Sequence, residues 1–163
     1  MTQDVQTIKK DRLRYTNDSF SSTMAILAIV FDCLYFVSIY QSDVGTYYYN
    51  WLIGVSIVYN LIFLLAAFLA SESVKNRRTG YSGVLVVLGV IQIARIFILP
   101  MKAHAAVVEV SGEQLAVMSD TQFIYCVVCL LASAACCIVA AVVSAKNNKI
   151  LADYLKTLEN KAA

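Results

Sequence analysis

Residues 20–40 read FSSTMAILAIVFDCLYFVSIY, and this stretch decides the fold. A helix over it is about 30 Å long at 1.5 Å per residue. That is the thickness of a bilayer's hydrocarbon core. A single charged residue, Asp32, interrupts it. Three further stretches pass the same length test: residues 47–70, 82–100 and 121–145. The third is the weakest, because Gln92 and Arg95 lower its hydropathy.

The composition agrees. The chain has 163 residues, 60% of them hydrophobic and 15% charged. Soluble domains carry about 25% charged residues, and a soluble core of this size cannot hide so much apolar surface. One proline and six glycines leave no room for long low-complexity linkers. No spacing suggests a solenoid repeat. The expected fold is an all-α bundle of four transmembrane helices. It divides into a basic arm (1–19), the membrane domain (20–145) and an amphipathic tail (146–163).

Lysine and arginine set the orientation. The arm carries Lys9, Lys10, Arg12 and Arg14. The loop after the second span carries Lys75, Arg77 and Arg78, and the tail carries Lys146, Lys149, Lys156 and Lys161. Of the chain's 13 basic residues, only Arg95 and Lys102 lie elsewhere. The positive-inside rule therefore predicts cytoplasmic termini, in a plasma or inner membrane. The outer side holds Asp43, Glu109, Glu113 and Asp120. Tyr40, Tyr47, Tyr48, Tyr49 and Trp51 mark the outer interface, and Phe20 and Tyr81 the inner one. The first span is too long for a signal-peptide core and no A-x-A-like site follows it, so it reads as a retained helix.

In the tail, Ile150, Leu151, Tyr154, Leu155 and Leu158 recur at helical spacing. With its lysines this predicts contact with an anionic inner leaflet. The basic segments flank spans, so lipid headgroups explain them better than nucleic acid. On the outer side, residues 105–110 and 114–118 are apolar enough to rest on the membrane or cover a helix end. Ser119 followed by Gln122 predicts a capping box before the fourth helix.

Five polar residues fall in one layer. Counted along ideal helices from the inner side, Asp32 and Ser133 lie at ~18 Å, Arg95 at ~20 Å, and Asn60 and Gln92 at ~15 Å. Charges at that depth are expensive and usually pair or line a polar path. Gln92 and Arg95 share a helix face. Ala25, Ala28 and Asp32 form a stripe with Tyr35 above it, and its small residues allow a neighbouring helix to approach closely. The expectation is an Asp32–Arg95 pair completed by Asn60 and Gln92. It is either a structural lock or a site for an ion or small polar substrate.

All five cysteines lie in the spans. Cys126 and Cys129 form C-x-x-C, a spacing that lets one thiolate attack while the other resolves the mixed disulfide. Four spans with both ends inside and a C-x-x-C near the outer end of the fourth resemble the vitamin K epoxide reductase family of membrane thiol oxidoreductases. The resemblance implies thiol–disulfide exchange at Cys126 and Cys129. That family's additional cysteine pair, in the outer loop after the first span, has no counterpart in residues 41–46. The competing reading is packing: Cys126, Cys129, Ser133, Cys137, Ala140 and Ser144 form a small-residue face.

Other chemistries lack residues. No Gly-rich phosphate loop follows a strand. His104 is the only histidine and no metal or other cofactor is expected. No Ser/His/Asp constellation can be assembled. The function expected is that of a non-enzymatic accessory subunit or small carrier in a membrane transport system, with a larger membrane protein or its own copies as partner. The alternatives are a membrane assembly scaffold and a thiol oxidoreductase.

Overall fold

The computed structural model describes residues 8, 16–40, 51–110 and 113–162. Four helices are long and apolar enough to cross a membrane. Helix α1 covers Ser19–Tyr40, α2 Trp51–Lys75 and α3 Tyr81–Arg95. A short helix α4, Pro100–Ala105, follows α3. Strands β1 (Val107–Val110) and β2 (Glu113–Ala116) precede α5, Asp120–Ala162. The arm's Lys9, Lys10, Arg12 and Arg14, and the aromatic residues Tyr47, Tyr48 and Tyr49, lie outside the described residues.

The long helices form a ring. α1 packs against α2 and α5, and α3 packs against the same two. α1 and α3 therefore stand diagonally opposite each other. The buried apolar residues form three tiers. Ala25, Val74, Leu85 and Ala140 fill the end near the chain termini. Ala28, Phe63, Ala67, Leu88 and Cys137 fill the middle. Tyr35, Ile39, Met118, Cys126 and Leu130 fill the hairpin end. Outward-facing side chains are apolar and exposed, among them Leu61, Leu65, Val87, Phe97 and Val128. Such flanks suit lipid, where exposing hydrocarbon carries no penalty.

Small residues set the helix spacing. A Cβ built on Gly89 of α3 would stand 3.0 Å from Ile138 Cγ1 and 3.2 Å from the Ala134 carbonyl oxygen. The missing side chain lets α3 approach α5 at that level.

Three elements differ from the sequence-based expectation. The third span is not one regular helix to Pro100. After Arg95 it tightens into i→i−3 bonds, from Ile96 N to Ile93 O (3.2 Å) and from Ile98 N to Arg95 O (3.1 Å). Pro100 has no N–H to give the Ile96 carbonyl, and Met101 N supplies that bond at 3.1 Å. The segment between the third and fourth long helices is not only loop. Its β-branched valines favour a strand, and β1 pairs antiparallel with β2, Val107 opposite Ala116. Val117 and Met118 then turn into the core, covering the end of the bundle.

The third difference is the tail, which is no separate element. It continues the fourth span as one helix of 43 residues. No glycine or proline occurs between Asp120 and Ala162, so nothing breaks the hydrogen-bond ladder.

Near the termini, polar contacts tie the helix ends together. Asp18 caps α1, accepting from Ser21 N at 3.3 Å and Ser21 Oγ at 2.9 Å. It also accepts from Asn147 Nδ2 at 3.2 Å, and its own N–H donates to the Lys75 carbonyl at 3.0 Å. Ser22 and Ser71 hydroxyls meet at 2.9 Å. α2 ends with Arg77 at φ 53. Arg77 N donates to Val74 O and Arg78 N to Ser73 O, each at 2.9 Å. This is a Schellman-type cap with arginine where glycine is usual.

Candidate functional site

The polar layer closes into one network at the centre of the ring. Arg95 is the last residue of α3, where the helix dipole favours a cation. Its Nη1 donates to Asp32 Oδ1 at 2.7 Å and to Gln92 Oε1 at 3.4 Å. Its Nη2 donates to Asn60 Oδ1. Gln92 Nε2 donates to the same Asp32 oxygen at 2.8 Å and to Ser133 Oγ at 3.3 Å. Ser133 Oγ in turn donates to the Ala28 carbonyl at 2.9 Å. All five residues expected to share a depth are therefore joined, and all are buried.

Two tyrosines complete the environment. The guanidinium carbon of Arg95 lies 4.5 Å from the Tyr35 ring centroid and 4.7 Å from that of Tyr59. A desolvated cation over aromatic faces gains about 2 kcal/mol or more. Sequence reasoning placed Tyr35 on the stripe but missed its contact with the cation, and it missed Tyr59 entirely. The available signal was a tyrosine adjoining Asn60 deep in a span, away from the interface where tyrosine usually sits.

The chemistry of this arrangement is that of a neutralised charge. The guanidinium offers five N–H donors and accepts nothing. Here it meets a carboxylate, two amide oxygens and two π-faces. Asp32 receives two donors on one oxygen. A pair taken out of water must be completed in this way if attraction is to offset desolvation. Among the described residues, Tyr35 Oη, Tyr59 Oη and Asn60 Nδ2 are buried without a hydrogen-bond partner.

The cysteine pair lies elsewhere on the same helix. Cys126 is 0% and Cys129 4% exposed, both in the core tier nearest the hairpin. Cys126 Sγ approaches Ser38 Oγ at 3.7 Å. All five cysteines are free thiols, and Cys33 is exposed on the α1 flank.

The remaining expected residues are dispersed. Lys75 pairs with Glu72 at 3.5 Å, and Arg77 Nε donates to the Thr16 carbonyl at 3.0 Å. Arg78, Lys146 and Lys149 are exposed near the same end of the bundle. At the hairpin end, His104 Nε2 lies 2.9 Å from Asp120 Oδ1 and its ring packs on Phe123. Among the described residues, no group of three His, Cys, Asp or Glu side chains is placed to hold a metal ion. The capping box is half made. Ser119 Oγ accepts from Gln122 N at 3.3 Å, but Gln122 Nε2 reaches across to the Ser38 carbonyl at 2.8 Å. The glutamine joins two helices instead of closing its own.

The chain matches no protein-family model, no curated protein and no solved structure.

Proposed function

We propose that this four-helix protein is a non-enzymatic accessory subunit of a larger membrane transport assembly, in a plasma or inner membrane with both termini cytoplasmic. One observation carries the reading. The buried charges are consumed by one another: Arg95 is held by Asp32, Asn60 and Gln92 between two rings. A carrier of an ion or a charged solute needs a charged group that can take up and release it, and in this network the cation is already paired with a carboxylate. It supports a rigid helix bundle whose work is done through contacts with a partner.

The long helix α5 supports the same reading. Forty-three residues span about 65 Å, roughly twice a hydrocarbon core. The part beyond Ala145 is polar, with Lys146, Lys149 and Lys156 exposed. On the proposed topology it reaches the cytoplasm, available to a partner or to anionic headgroups. Burial of Cys126 and Cys129 among packed side chains favours packing over thiol exchange for that pair.

Purification in mild detergent tests the proposal. The expected result is a stoichiometric polytopic membrane protein in the same peak, whose transport falls when this chain is removed. A partner-free monomer, or flux unchanged by its removal, overturns it. A scaffold would co-purify with a partner yet leave flux intact.

A further inference from the structure

The cations at the end of the bundle near the chain termini are not equivalent. Lys75 pairs with Glu72 at 3.5 Å. Arg77 is tied to the Thr16 carbonyl, to which its Nε donates at 3.0 Å. Arg78, Lys146 and Lys149 are exposed and have no ion-pair partner among the described residues. Three uncompensated positive charges are left at this end. Lys156 stands about 10 Å farther out along α5.

Packing brings the three together. α3 and α5 run antiparallel: Leu85 shares a cluster with Ala140 and Ala141, Leu88 shares one with Cys137, and Gln92 bonds Ser133. Carried back along that register, Arg78 falls level with Asn147, between Lys146 and Lys149. A second route leads to the same place. Asp18 accepts from Asn147 Nδ2 at 3.2 Å and donates its own N–H to the Lys75 carbonyl at 3.0 Å, so a single residue separates Asn147 from the end of α2. The Arg78 backbone is pinned there by its bond to Ser73 O at 2.9 Å. Lys146 and Lys149, three residues apart, share a face of α5.

Depth identifies the ligand. Lys146 is thirteen residues from Ser133 of the central layer, about 20 Å along the helix. That is beyond half of a ~30 Å hydrocarbon core. Val142, one turn nearer the layer, is 59% exposed. Level with it on α3 is Gly83, where an added Cβ would meet nothing within 4 Å. The free cations therefore border an open apolar flank. A soluble anion matches only the cations, and a neutral lipid matches only the flank. A membrane lipid with a negative headgroup matches both.

We propose that Arg78, Lys146 and Lys149 hold the phosphate of an anionic phospholipid in the leaflet at the terminal end, with its acyl chains against α3 and α5 beside Gly83 and Val142. The site requires only that the helices span a bilayer. It holds for either orientation and without a transport partner, so its test is independent of the accessory role.

Native mass spectrometry of the full chain in detergent reads the site. Phosphatidylglycerol and phosphatidylcholine with the same acyl chains are added in equal amounts. One phosphatidylglycerol is expected to be retained at least roughly tenfold over phosphatidylcholine. Arg78→Gln, Lys146→Gln and Lys149→Gln should each lower that preference roughly fivefold, and the triple change should abolish it. Lys75→Gln and Lys156→Gln should leave it within about twofold. Glycerol phosphate, a headgroup without chains, should not displace the lipid. The triple variant should melt with the wild type, because all three side chains are exposed and unpaired; should it melt lower, the single variants carry the test. Equal retention of the two lipids overturns the proposal. So does an equal fall in Lys156→Gln, which would mark diffuse charge instead of a site. Displacement by glycerol phosphate would assign the cations to a free anion and overturn it too.

Discussion

Arg95 Nη1 stands 2.7 Å from Asp32 Oδ1, although the two residues belong to helices diagonally opposite in the ring. The pair crosses the middle of the bundle and fixes the register of α1 against α3. Asn60 from α2 and Ser133 from α5 attach the other two helices to the same point.

Breaking that pair on one side is therefore expected to be costly. Asp32→Ala and Arg95→Ala should each destabilise the bundle by about 3–5 kcal/mol, because each leaves an uncompensated buried charge. The double change Asp32→Leu with Arg95→Met should recover much of the loss. Folded yield and thermal unfolding in detergent measure both. Single variants with wild-type yield would sink the structural reading of the pair.

Charge alone is not sufficient at residue 95. Arg95→Lys retains the cation but loses the planar fork and the stacking between Tyr35 and Tyr59. A loss of about 1–3 kcal/mol is expected, measured by the same unfolding curves. A lysine variant as stable as wild type would show that the rings contribute little.

Gly89 and Gly83 provide a matched pair on one helix. A Cβ on Gly89 meets Ile138 and the Ala134 backbone, whereas one on Gly83 meets nothing within 4 Å. Gly89→Ala should cost about 1–3 kcal/mol through overpacking. Gly83→Ala should be neutral or stabilising by up to about 1 kcal/mol through helix propensity. Equal melting temperatures for the two variants would refute close packing of α3 on α5.

Asp18 combines a helix cap with a contact to Asn147. Asp18→Ala should cost about 1–2 kcal/mol, and the backbone amide of Ser21 should lose protection from hydrogen exchange. Unchanged exchange there would exclude the cap.

Thiol reactivity should follow exposure. Iodoacetamide treatment of the folded protein in detergent is expected to modify Cys33 at least roughly tenfold faster than Cys126 or Cys129. Peptide mass spectrometry reads each site. A fast C-x-x-C pair that oxidises to a disulfide would restore the redox reading.

Much of this architecture was legible in the chain. The lengths of the apolar runs predicted four long helices, because backbone groups in hydrocarbon leave few alternatives. The 3.6-residue period placed Ala25, Ala28, Asp32 and Tyr35 on one buried face. Simple rise counting brought Asp32, Asn60, Gln92, Arg95 and Ser133 to one depth. What was not legible depended on which helices become neighbours. Tyr59 over Arg95 and Gln122 reaching Ser38 are contacts between helices, and no local pattern announces them. The β-hairpin was missed because four-residue strands give almost no periodic signal. The helical spacing of Ile150, Leu151, Tyr154, Leu155 and Leu158 marks the tail as amphipathic but carries no sign of whether it joins the preceding helix, and without a breaker it does.

That unbroken helix makes α5 a lever. Ser133, bonded to α1 and Gln92, and the arm beyond Ala145 are parts of one rod. A load applied to the arm cannot dissipate in a hinge, since the sequence supplies none. It passes first to the Asn147–Asp18 contact, then to the packed Ala140 and Cys137, and reaches the hydrogen bond from Ser133 to Ala28 some 20 Å farther along the rod.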